Sequence, residues 1–384
     1  MTERLSKEEL VALVGRVFLP GPEDTGLAIL VDLPDATVPD DAAWTARRET
    51  AREWAQMLFE AREVLGFPTR LVLYANVHTN NGDLPATGWI HGGGPLPACA
   101  EALDPDAAVA FSALYAGHSM LIAITKFSST APLKVAARQF PIRAATMPGF
   151  RADMIPALRL DYTEVNRRVV LLKDLLDRAT GADLVFRHPG GEARLHLDLR
   201  YRTGHASGGL LPTPGVAGNL PSGEAYIVPY EGERPGEPSR SEGQLPVQFG
   251  SEVVLYAIAG NVAVAVLPGG PEAAREAALL AAEPAYGNLA ELGLGVLAAF
   301  GVKPIGVVLL DEKLGLHIAF GRSEHFGGQV GPDRFSRPDA VVHIDRVYVP
   351  ETQPAIQVAA LTLQLENEPP FPLMKDGEYV LDFA

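Results

Sequence analysis

The stretch Gly26-Leu-Ala-Ile-Leu-Val-Asp-Leu-Pro34 is a continuous apolar run closed by an acid and a proline. A run with no polar alternation has both faces covered, which is the pattern of a strand buried in a parallel sheet. Upstream, Ser6 to Phe18 reads as a helix with Ser6 as N-cap and Leu10, Val11, Leu13, Val14 and Val17 on its inner side. Downstream, Asp40 to Leu65 carries Trp44, Trp54, Met57, Leu58 and Ala61 on one helical stripe, and Thr69–Ala75 (TRLVLYA) is a second short buried strand. Strand, helix and strand in that order predict a parallel sheet with right-handed crossovers. Ala107–Ser112 and Met120–Thr125 continue the series as strands. Lys126-Phe-Ser-Ser-Thr130 then opens a helix, its hydroxyls placed where an anion could sit, although no phosphate-binding glycine pattern follows.

The pattern changes after Asp161–Ala179, an amphipathic helix with Val165, Val169, Leu172, Leu175 and Leu176 at three-and-four spacing. Ala182–Tyr201 alternates about a Pro189-Gly190-Gly191 hairpin turn, and Arg194, His196, Asp198 and Arg200 share one face that reads as a solvated edge. Residues 204–243 form a Gly/Pro-rich loop, Gly250–Leu267 is a two-strand meander, and Pro271–Ala282 is a helix. The fold class expected is α/β: an N-terminal parallel-sheet domain over residues 1–180, followed by a mixed, largely antiparallel α+β metal-binding domain over residues 181–384.

The chain has 384 residues, enough for two cores. Its 32 lysines and arginines stand against 47 acids, a net charge of −15, which disfavours nucleic acid or an anionic membrane as partner. One cysteine, Cys99, permits no internal disulfide, no apolar run is long enough to span a bilayer, and the amphipathic opening lacks the apolar centre of a signal peptide. A cytoplasmic setting is expected.

The chemistry concentrates in the second half. In Leu310–Asp345, Leu314, Leu316, Ile318 and Phe320 alternate with Gly315, His317 and Ala319, so a half-buried strand would present His317 on its open face. His343 and Asp345, two apart after the apolar run Ala340–Val342, would point into one space, with Glu324 and His325 on the loop between. Glu224 opens an apolar strand after the Pro221-Ser-Gly turn. Glu291 lies among small and apolar residues with no lysine or arginine within four positions, a setting in which a carboxylate needs a cation or hydrogen bonds. Converging imidazoles and carboxylates point to a metal site. An acid outside the ligand set would move protons, and Glu312 and Glu324 are the candidates; Lys313 either counters a carboxylate or is a solvated strand-edge residue.

Four motifs, Asn219-Leu-Pro-Ser-Gly-Glu224, Glu291-Leu-Gly-Leu-Gly, Asp311-Glu-Lys-Leu-Gly-Leu-His317 and His343-Ile-Asp345, resemble in order and approximate spacing those of the thermophilic metalloaminopeptidases of the aminopeptidase T and aminopeptidase S type. The resemblance implies a dimeric enzyme that removes N-terminal residues from peptides, using two divalent ions (zinc, cobalt or manganese). Glu224 would hold one ion, Glu291 both, His317 the second, and His343 with Asp345 would complete the pair. The family's tyrosine ligand has no counterpart: seven residues beyond His317 stands Glu324, then His325, and either replaces it or the position is vacant. The resemblance extends to the 2,5-dihydroxypyridine ring-cleaving dioxygenases, where a single iron(II) on His317, His343 and Asp345 would suffice. A non-catalytic metal or small-molecule binding protein on the same scaffold is the third reading.

Overall fold

The computed structural model describes residues 3–383, and they form a mixed α/β structure of two compact units. One comprises Met1–Asn166 with Gly209–Ser222, the other Arg167–Gly208 with Gly223–Ala384. The excursion has a local cause: Val216–Asn219 pairs in parallel with Arg143–Thr146 and so extends the first unit's sheet.

That sheet runs Val216–Asn219, Arg143–Thr146, Met120–Ala123, Leu27–Leu33, Thr69–Ala75, Thr87–Ile90, Val109–Ala110. The first five run parallel, Thr87–Ile90 pairs antiparallel with Thr69–Ala75, and Val109–Ala110 pairs antiparallel with Thr87–Ile90. Leu27–Leu33 is central and buried at every position, as its unbroken apolar run requires. Helix Lys7–Phe18 starts with a capping box, in which Glu9 N donates to Ser6 Oγ at 3.2 Å and Ser6 N to the Glu9 carboxylate at 2.8 Å. The expected helix Asp40–Leu65 is two, Ala42–Glu60 and Arg62–Leu65, because Ala61 leaves helical geometry. Ala107–Ser112 is not a strand throughout: only Val109–Ala110 pairs, and Phe111 begins a helix that buries Phe111, Leu114 and Tyr115.

The weak anion site offered near Ser128 has most of its donors engaged, although Ser129 Oγ is buried without a partner among the described residues. At the start of helix Thr130–Gln139, Ala131 N donates to Asn81 Oδ1 at 3.0 Å. The neighbouring N–H groups of Lys126 and Phe127 donate to Asp32, at 2.9 and 3.0 Å. Asp32 is fully buried, also accepts from Trp44 Nε1 at 2.9 Å, and has its pKa raised by burial.

The second unit holds two antiparallel sheets. The larger has eight strands in the order Val262–Val266, Glu252–Ala259, Glu242–Phe249, Gly191–Asp198, Ala179–His188, Gln357–Leu365, Phe371–Lys375, Glu378–Tyr379. Gly191–Asp198 therefore lies inside the sheet, not at a solvated edge, and Asp198 is buried against the Arg200 guanidinium, with Nη2 2.7 Å from Oδ2. The smaller has five strands, His343–Val347, Leu316–Gly321, Leu289–Gly295, Glu224–Ile227, His205–Ser207. Within the stretch 204–243 the strand expected to open at Glu224 runs to Ile227, whereas His205–Ser207 in this sheet and Val216–Asn219 in the first unit fall where a loop was expected, pairing partners distant in sequence supplying what local patterning lacks. Phe320 of the smaller sheet packs on Tyr256 of the larger and on Tyr286, with ring centroids 5.0 and 5.7 Å apart. Among the described residues no helix is long and apolar enough to cross a membrane.

Candidate metal centre

In a strand, residues two apart share a face, and the register of the five-stranded sheet decides which faces meet. Tyr226 pairs with Gly293, which pairs with His317; Glu224 pairs with Gly295; Glu291 and Asp345 both pair with Ala319. One face therefore carries Glu224, Tyr226, Glu291, His317, His343 and Asp345 around small residues. The opposite face carries Leu292, Leu294, Leu316, Ile318 and Phe320, all buried.

The small residues are necessary. A Cβ on Gly293 would lie 1.8 Å from His317 Nε2, and one on Gly295 would lie 2.3 Å from the Lys313 backbone. Glycine at both positions lets the His317 ring lie over the sheet and lets the turn Glu312–Leu314 close down on it.

His317 is not presented to solvent as its alternation suggests: it is 0% exposed, because the face it occupies is covered as well. Its Nε2 lies 3.3 Å from Glu291 Oε1 and 3.5 Å from Glu224 Oε2. His343 Nε2 lies 3.3 Å from Glu291 Oε2 and 3.5 Å from Asp345 Oδ1. The ligand atoms of Glu224, Glu291 and His317 fall within 4.8 Å of one another, and so do those of Glu291, His343 and Asp345. Glu291 belongs to both trios, one oxygen to each.

Both imidazoles are oriented from behind. His317 Nδ1 is 3.2 Å from the Gly315 carbonyl and His343 Nδ1 is 2.7 Å from the Arg322 carbonyl. A carbonyl acceptor fixes the hydrogen on Nδ1 and leaves the Nε2 lone pair for an ion. Separations of 3.3–3.5 Å also suit one ion between two donors, since atoms bonded at about 2.0–2.1 Å to a tetrahedral cation stand roughly 3.4 Å apart. Glu224 Oε2, buried and without a hydrogen-bond partner, is the orphan that such an ion would satisfy. The donor set therefore fits divalent cations.

The electrostatics say the same. Burial works to raise Glu291, but hydrogen bonds to His317 and His343 outweigh it and hold the carboxyl down at about 2. Burial would lower His317, yet Glu291 and Glu224 push it up to about 9. Against burial, Asp345 and Glu291 raise His343 well above its ordinary value, and Asp345 is lowered in turn, mainly by His343. Without a cation, the carboxylates hold protons on the imidazoles.

Lys313 is not a solvated strand residue. It is 0% exposed, with Nζ 2.5 Å from Glu224 Oε1 and also bonded to Glu312. Glu312 follows the short helix Val308–Asp311 in a 3-10 turn, so strand parity does not govern its direction. Burial pushes the Glu312 carboxyl up to about 8 despite Lys313. Glu324 lies apart from both trios: Arg322 clamps it through two bonds of 2.6 Å and lowers its pKa. His325 belongs to neither trio; its ring packs on Phe326 and His343, centroids 3.9 and 5.3 Å away, and burial together with His343 lowers it to about 4.

Two features escape the motif reading. Gly293 and Gly295 stand two and four residues beyond Glu291, and Tyr226 two beyond Glu224, so period-two counting places all three on the site face. The sequence offers Lys313 as counter-ion to a carboxylate, and only the identity of that carboxylate, Glu224, 89 residues away, escapes it.

No protein-family model matches the chain, and neither does any curated protein. Two solved structures share its fold over nearly the whole length. One is the 2,5-dihydroxypyridine dioxygenase from Pseudomonas putida, with a TM-score of 0.61 and 15% identity, covering 99% of each chain. The other is AmpT, an aminopeptidase T, from Thermus thermophilus, with a TM-score of 0.52 and 17% identity, covering 98% of this chain and 100% of that one. Both are enzymes, and at these identities the likeness is one of fold.

Proposed function

We propose that the chain is a metal-dependent aminopeptidase in which Glu224, Glu291, His317, His343 and Asp345 hold two divalent cations of the zinc, cobalt or manganese kind. The observation that carries this reading is Glu291, whose two oxygens face different histidines, each within a separate trio. A carboxylate in that position would serve as ligand to both ions. When bound, the ions would supply an activated water and a polarised carbonyl for attack on the N-terminal peptide bond.

The chain's own groups do the rest. Glu312 lies outside both trios yet is tied through Lys313 to Glu224; with cations bound nearby to draw off the proton that burial leaves on it, it is placed to take the water's proton and pass it to the leaving amine. Lys313 offsets the excess of buried carboxylate and fixes Glu224 so that its Oε2 remains available. The fold shared with AmpT supports the reading. A peptide substrate, a homodimer and a cytoplasmic setting belong to the same proposal.

One observation favours a second reading. Lys313 already occupies Glu224 Oε1, while Glu291, His343 and Asp345 form a trio without Glu224. A single iron(II) there, with His317 nearby, would serve a ring-cleaving dioxygenase, a reading supported by the other shared fold.

Metal stoichiometry and turnover under each metal separate the readings. Two ions per chain and anaerobic hydrolysis of an aminoacyl chromogenic substrate are expected. One iron per chain with oxygen-dependent consumption of 2,5-dihydroxypyridine would replace the peptidase by the dioxygenase. Protein purified without chelator that holds no ion would leave a non-catalytic binding protein.

A further inference from the structure

Tyr226 stands on the site face two residues from Glu224, and like His317 it flanks Gly293. Its ring is held on both sides, stacked on His205 at 5.0 Å between centroids and edge-on to Phe326 at 4.9 Å. The side chain is nearly buried, at 9% exposure, yet its hydroxyl forms no hydrogen bond among the described residues. The hydroxyl is not among the buried, unpartnered atoms and so keeps contact with accessible space, and a phenylalanine would serve the stack equally well. The other buried tyrosines of this unit show the usual arrangement: Tyr230 OH donates to the Glu237 carbonyl and Tyr348 OH to the Pro246 carbonyl, both at 2.8 Å. The charged groups that act on the Tyr226 phenol are Glu291, Glu224, Lys313 and Glu312, the site's own.

We propose that Tyr226 is a catalytic residue of this centre, its hydroxyl donating a hydrogen bond to the substrate oxygen brought to the two trios. The proposal rests on the metal-centre reading and deepens it. A rigidly held ring lets the hydroxyl meet that oxygen without reorganisation, the arrangement that makes such donors effective. In peptide hydrolysis the oxygen would be that of the scissile carbonyl, where negative charge develops as water adds.

The test uses Tyr226→Phe, which keeps the ring and removes only the hydroxyl. Ion content and circular dichroism are expected to match the parent protein. Acetohydroxamate, a chelator that carries a carbonyl oxygen, should bind the metal-loaded variant about tenfold more weakly. The kcat on an aminoacyl chromogenic substrate should fall about 10- to 100-fold with KM nearly unchanged. Unaltered hydroxamate affinity together with unaltered kcat would overturn the proposal, and so would loss of an ion from the variant, which would put the hydroxyl in the ion's own shell. If the parent protein binds hydroxamate but hydrolyses no aminoacyl substrate, the peptidase reading falls while the hydroxamate comparison still decides Tyr226. A protein that takes up neither ion nor hydroxamate overturns both.

Discussion

Each unit buries a carboxylate, and the two are satisfied by opposite means. Asp32 in the first unit is held by two backbone N–H groups and an indole N–H, donors that cannot leave and do not titrate near neutrality. Glu291 in the second faces two imidazoles and lies beside Glu224, whose second oxygen has no hydrogen-bond partner. Burial is common to both, at 0% and 4% exposure. The difference in partners separates a structural tie from a binding centre: fixed neutral donors close a site, whereas a surplus of acids over fixed cations leaves room for an ion.

Exchanging the two carboxylates for alanine gives the largest expected contrast. Glu291→Ala removes the ligand common to both trios, so ion content should fall from two to at most one per chain, with the fold retained. Asp32→Ala should leave ion content unchanged but strand three buried donors, costing roughly 3 kcal/mol of stability. Elemental analysis and denaturant melts on both variants check this. Full ion content in Glu291→Ala would break the comparison at its centre, and His343→Ala, expected to lose at least one ion, provides the independent check.

How much of this the sequence announces follows the same division. Leu27–Leu33 is legible because an unbroken apolar run has few other uses, and the hairpin at Pro189-Gly190-Gly191 because its turn chemistry is local. Glu224, Glu291, His317, His343 and Asp345 could be singled out individually, and the pairing register brings them onto one face. The environment of each was not legible. His317 is covered although its strand alternates, and Lys313 is buried although it follows two acids. Burial and ion pairing depend on contacts across tens of residues, which a periodicity cannot record.

A smaller effect tests the floor beneath the imidazole. In Gly293→Ala the new Cβ would lie 1.8 Å from His317 Nε2, so the ring must move away from Glu291. Displacing a ligand in this way should weaken ion binding about 10- to 100-fold, read by competition with a chelating dye. An unchanged affinity would mean that His317 holds no ion.

Proton release sharpens the contrast further. In the ion-free protein His317, raised to about 9, and His343, raised well above its usual value, both carry protons at pH 7. An ion needs neutral imidazoles, so binding at pH 7 should release about one proton per histidine. Calorimetry in buffers of different ionisation enthalpy measures the number. Affinity should rise with pH up to about 9, where His317 loses its proton unaided. Binding without proton release would remove the histidines from the ligand set.

The smallest expected effect belongs to Glu324, which the sequence offers both as a proton carrier and as a replacement ligand. Its two oxygens are engaged by the Arg322 guanidinium, and the pair is partly exposed, at 23% and 36% of the side chains. Charge-assisted contacts of this kind near the surface are worth about 0–1 kcal/mol. Glu324→Gln should therefore leave ion content intact and change kcat less than about threefold, whereas Glu312→Gln should lower kcat by about 10²–10⁴ at unchanged ion content. A large loss in Glu324→Gln with Glu312→Gln silent would exchange the two roles. The proton carrier would then be a carboxylate freed from Arg322 during turnover, and the loop Arg322–Phe326 would have to move for the reaction to proceed.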